Sequence, residues 1–76
     1  MKMFNVMDKL YVADIYLMND TYDTIARLVY DGKDLEEFKE YLLNRYSNLR
    51  NEHGIMIREI NVSLGIMKDV WYKEGI

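Results

Sequence analysis

A chain of 76 residues, half of them apolar and 30% charged, is long enough for one domain and too apolar for a disordered tail. Cysteine is absent, which removes disulfides and thiolate metal sites and fits a reducing compartment. The net charge of −3 is unevenly placed: residues 1–43 carry five cations against nine carboxylates, and residues 44–76 carry five against four. The acidic first half is unsuited to phosphate, so any nucleic acid would have to meet the second half.

Residues 5–18 are ambiguous in period. As a helix, Asn5 caps the start and Asp8 favours the N-terminal dipole. Met3, Val6, Met7, Leu10 and Leu17 then share a face, with Asp14 intruding on it. As a strand, Tyr11, Ala13, Ile15 and Leu17 alternate with Leu10, Val12, Asp14 and Tyr16, and the β-branched and aromatic content suits that conformation. Helix is the preferred reading. A second helix is expected over 21–30, capped by Asn19 or Asp20. Tyr22, Ile25, Ala26 and Val29 lie at helical spacing, Asp23 and Arg27 form an i,i+4 pair, and Asp31-Gly32 ends it.

The third element, 34–51, reads as a helix from its own residues. Asp34 is the cap and Glu37 takes the capping-box position. Leu35, Phe38, Leu42, Tyr46 and Leu49 form one stripe, and Gly54 is placed as the left-handed residue beyond the helix end.

Residues 53–73 read HGIMIREINVSLGIMKDVWYK. A short helix here would turn Ile57, Ile60 and Leu64 inward. Gly65 would take the left-handed turn, Ile66 would fill the corner, and a second helix would turn Trp71 inward. Over residues 55–74 the pattern resembles the helix-turn-helix of bacterial and phage DNA-binding proteins. The resemblance implies a recognition helix with Lys68, Asp69, Tyr72 and Lys73 facing a major groove, and Arg58 within reach of a phosphate. The competing reading of 55–64 is a strand, with Met56, Arg58, Ile60, Val62 and Leu64 alternating with Ile55, Ile57, Glu59, Asn61 and Ser63.

The remaining chemistry is sparse. His53 is the sole histidine and has no companion ligand, so it reads as a solvated residue at a helix end. The acidic run 31–40 lacks the alternating oxygen-ligand spacing of a cation loop, and the four glycines are too scattered for a phosphate loop. Seven tyrosines and six methionines, with no proline, favour helices with adaptable packing and suit an interface.

The expectation is thus an all-α bundle of four or five helices forming one domain over 1–76, with a C-terminal helix-turn-helix. Its expected role is a small DNA-binding regulator with DNA as partner, encoded by a phage or other mobile element. It is expected to be a homodimer contacting through 3–18, with no catalytic residues, metal or cofactor. A charged start and the lack of any membrane-length apolar run suggest a cytoplasmic protein without a membrane partner. The alternative is an acidic inhibitor or adaptor that docks on a host protein without touching DNA.

Overall fold

The computed structural model describes residues 9–19, 22–32, 34–49 and 51–75. Four strands and one helix follow one another as β1 (Lys9–Leu17), β2 (Asp23–Tyr30), α1 (Leu35–Arg45), β3 (His53–Asn61) and β4 (Ile66–Glu74). The strands form one antiparallel sheet in the order β2-β1-β3-β4. β2 and β3 flank β1 and run parallel to each other, so α1 is the crossover that a parallel return requires. The expected all-α bundle is therefore replaced by a sheet carrying a single helix.

The helix covers one face. Tyr11, Ala13 and Ile15 of β1 and Ile55 and Ile57 of β3 form the buried centre with Phe38 and Leu42 of α1. Ile15, Leu42, Ile55 and Ile57 are fully buried, each contributing about 1.5–3 kcal/mol of burial energy. Tyr30 lies between two rings, stacked on Phe38 at 4.7 Å and on Tyr11 at 6.3 Å. Leu28, Leu35, Tyr46, Leu49 and Trp71 close the margin.

Each expected helix that became a strand has a local reason. In residues 5–18 the strand runs from Lys9, and residues 5–8 lie outside the described residues. Asp14, which spoiled the helical face, falls on the sheet face away from α1, where its pairing partner is Arg27. In 21–30 the Asp23–Arg27 helical pair is not formed. Arg27 turns to Asp14, and Asp23 accepts a hydrogen bond from the Asn19 amide. Tyr22, at φ 52°, makes the turn into β2, where the β-branched and aromatic Thr24, Ile25, Val29 and Tyr30 suit a strand. Of the expected caps, Asn19 lies in the β1–β2 turn and Asp20 lies outside the described residues.

The helix at 34 is present but shorter than expected, ending at Arg45 with Tyr46 as its cap. The Asp34 carboxylate accepts from the Glu36 and Glu37 backbone N–H groups, and the Phe38 and Leu42 stripe is buried. Ser47 and Asn48 follow, two residues whose side chains compete with helical backbone bonds. Gly54, expected beyond the helix end, is a buried residue of β3.

The helix-turn-helix is overturned most directly. Residues 53–61 and 66–74 are strands of one hairpin. Asn61 stands where close helix contact needs a small side chain. Here its carbonyl accepts from Gly65 N–H at 2.8 Å and its side-chain oxygen accepts from Leu64 N–H at 3.0 Å, closing the turn. Met67 has no oxygen with which to cap a second helix. Gly65 does adopt the left-handed backbone, φ 69°, but in a hairpin turn.

Candidate protein-docking surfaces

The sheet face opposite α1 carries a charge ladder across all four strands. Arg27 of β2 donates to Asp14 of β1 through Nε and, at 3.3 Å, through Nη2. Arg58 of β3 lies 3.8 Å from Oδ2 of that carboxylate and donates from Nε to Asp69 of β4 at 3.2 Å. Asp14 is 8% exposed, so it is a nearly buried carboxylate held between two guanidiniums. It pushes the Arg27 pKa further up, through the hydrogen bond and then through charge attraction. Opposite charges in adjacent strands hold the register, because a one-residue slip would turn each partner to the other face.

Beside the ladder, Tyr16 lies across Gly54, its pairing partner in β3, and donates from Oη to Glu74 of β4 at 2.9 Å. A Cβ at Gly54 would come within 2.6 Å of the ring, so the glycine makes room for this crossing. Burial first, and then the bond to Glu74, raise the phenol pKa from 10.0 to about 12. The neutral phenol is therefore the form the fold favours. Its contribution is complete below pH 10 and is lost as the pH rises towards 12. Spectrophotometric titration should show one tyrosine ionising near pH 12 in the native chain, and Gly54→Ala, which displaces the ring, should bring that step back towards 10. Identical titration curves for the two proteins would contradict the crossing geometry.

The five residues expected to meet DNA do not form one surface. Arg58 sits on β3, and Lys68, Asp69, Tyr72 and Lys73 sit on β4. Pairing puts Arg58, Asp69 and Tyr72 on the open face, whereas Lys68 and Lys73 stand opposite Glu59 and Ile55 on the helix side. Arg58 and Asp69 neutralise each other, and Lys68 lies 3.7 Å from Glu59. Lys39 is drawn to Glu36 at 2.8 Å and lies over the Trp71 ring, 5.5 Å from its centre. His53 is half-buried at the start of β3, and its carbonyl accepts from Gly75 N–H at 3.0 Å. Among the described residues no group of three His, Cys, Asp or Glu could hold a metal ion, and no helix is long and apolar enough to cross a membrane.

Two features stand apart from these satisfied contacts. The first is the tip of the β3–β4 hairpin. Residues 60–67, Ile-Asn-Val-Ser-Leu-Gly-Ile-Met, carry no charge, and Val62, Leu64, Ile66 and Met67 are 40–69% exposed. In the helix-turn-helix reading Leu64 and Ile66 were core. Once 55–64 is read as a strand and a turn, the same residues become exposed apolar side chains around the turn, with Ile66 on the helix side and Met67 on the open face.

The second feature is a groove of about 390 Å³ between β2 and α1, lined by Leu28, Val29, Tyr30, Glu37, Phe38 and Tyr41. The Tyr30 hydroxyl donates to Glu37 at 2.7 Å, a bond that raises its pKa, with burial and the charge of Glu37 adding to it. The sequence signals for this groove were the tyrosine content and the acidic run, which composition could not join. No family model, curated protein or solved structure matches the chain.

Proposed function

We propose that this chain is a small acidic protein-binding module, an inhibitor or adaptor that docks on another protein without contacting DNA. The observation that carries this reading is the uncharged hairpin tip, with Val62, Leu64, Ile66 and Met67 exposed together. Isolated exposed aliphatic residues are ordinary, but four within the six residues 62–67, around one uncharged turn of a small domain, suit a surface that another protein covers. The net charge of −3 and the scattering of Lys68 and Lys73 away from Arg58 argue against a phosphate-tracking surface.

β1 is hydrogen-bonded on both sides, so it offers only a face, and no free edge, to a second copy. The expected homodimer contact through 3–18 is therefore limited, within the described residues, to the open face of β1.

The experiment compares the wild-type chain with Leu64→Asp/Met67→Asp as bait in nuclease-treated extract of the source cells. Both positions are more than half exposed, so the variant should keep wild-type stability to within about 0.5 kcal/mol. One protein should be retained by the wild type and lost by the variant. Each aliphatic side chain buried at the interface contributes about 1.5–3 kcal/mol, a ten- to hundredfold change in affinity. Equal retention by both baits would overturn the tip as the docking surface. Binding of the wild type to duplex DNA at about 100 mM salt, weakening steeply as salt rises, would overturn the reading as a whole.

A further inference from the structure

The two outer strands of the sheet are protected unequally. Natural edge strands are blunted by charges and bulges, because an open edge invites another strand. β4 carries Lys68, Asp69 and Lys73, and its pairing is broken by a bulge beside Val70. In β2 the irregularity falls at Ile25, leaving Ala26–Tyr30 in regular pairing with β1 and without a partner on its outer side among the described residues. The single charge in that stretch, Arg27, is directed to Asp14 on the face away from α1.

This bare edge borders the β2–α1 groove. The groove has an apolar floor in Leu28 and Phe38 and an aromatic wall in Tyr30 and the half-exposed Tyr41. Its rim is acidic. Glu37 lines it, and Glu40, exposed, stands one helical step along the same side. Asp31 and Asp34, also exposed, lie at the end where β2 leads into α1. Lys39 is held by Glu36 and Trp71, towards the β4 side of the helix.

We infer that the Ala26–Tyr30 edge accepts an extended, lysine- or arginine-rich segment of a partner protein as a fifth strand. Main-chain hydrogen bonds to β2 would supply its affinity. The alternate side chains on the α1 face would be the basic ones, their aliphatic stems over the apolar floor and their charged ends at Glu37 and Glu40. A second copy of this chain is disfavoured at the same edge, because the single cation of its own Ala26–Tyr30 strand, Arg27, is already held by Asp14 and leaves the acidic rim without a counter-charge.

The groove borders β2 and the hairpin tip joins β3 to β4, separate parts of the sheet, so this inference and the tip-docking reading are tested by different variants.

The test is titration of the full isotope-labelled chain with a synthetic peptide alternating lysine and valine, read by amide chemical shifts. The result expected is a saturable shift confined to residues 26–30 and 37–41. In Glu37→Gln/Glu40→Gln the affinity should fall about fivefold, the scale of two exposed charge pairs. The variant keeps a Tyr30 acceptor at position 37, so its unliganded spectrum should match the wild type away from the two substituted positions. Three results would overturn the inference: no saturable shift at millimolar peptide, shifts centred on β4 or the open face, or equal binding of a glutamate–valine peptide. Concentration-dependent shifts of 26–30 without peptide would assign the edge to a second copy instead.

Discussion

Phe38→Ala should destabilise the chain by about 3–5 kcal/mol, the range for emptying a large aromatic site in a packed core. Phe38 is 3% exposed and stacks on Tyr30, and with Leu42 it is the means by which α1 reaches the buried centre of the sheet. A domain of this size converts each kcal/mol into about 4–8 °C, so the melting temperature should fall by at least about 12 °C. If total stability is about 5 kcal/mol, the variant is largely unfolded at 37 °C. Calorimetry checks this, and an unchanged melting temperature would mean that α1 does not pack on the sheet through Phe38.

The second large effect is expected at Asp14. Asp14→Ala removes the hydrogen-bond acceptor of Arg27 and the charge partner of Arg58 from a site that is almost closed to water. Breaking a fully buried pair costs about 3–5 kcal/mol. The arginine side chains here are 60% and 39% exposed and can rehydrate, so the loss should be nearer the value of a charged hydrogen bond, about 1.5–3 kcal/mol. Asp14→Leu, which fills the position with an apolar side chain, should recover part of that loss, because a buried ion pair contributes little over a well-packed hydrophobe. Urea denaturation of both variants decides it. A neutral Asp14→Ala would show that the ladder does not hold the sheet.

α1 was legible in the sequence because its signals are local: the Asp34 cap precedes Phe38 and Leu42 on one stripe, and all three lie within a few turns. The strands were not, because short apolar runs satisfy both periods. Ile57, Ile60 and Leu64 fit a helix, whereas Ile55 and Ile57 fit a strand, and only pairing with β1 decides between them. Gly65 gave the same left-handed signal for a helix-turn-helix and for a hairpin. Asp14 argued locally against a helix, and its meaning depended on Arg27 and Arg58, brought beside it only by the β1–β2 and β1–β3 pairings.

The candidate site was hidden for the same reason. Arg58 and Asp69 were read as contacts to DNA, whereas the hairpin brings them together as an ion pair. Leu64 and Ile66 were read as core, and the hairpin exposes them. The β2–α1 groove joins Tyr30 to Glu37 and Phe38 across the expected helix end at Asp31-Gly32, a break that the sequence reading placed between separate elements.

The functional account rests on residues 53–74 being a hairpin with an exposed tip. Backbone ¹³C chemical shifts over that segment test it most directly. The account predicts strand-like shifts over 53–61 and 66–74, an interruption at 62–65, and a cross-strand proton contact between Ile57 and Trp71. Helical shifts over 57–64 and 67–74 would contradict it, and with it the apolar tip as a protein-docking surface.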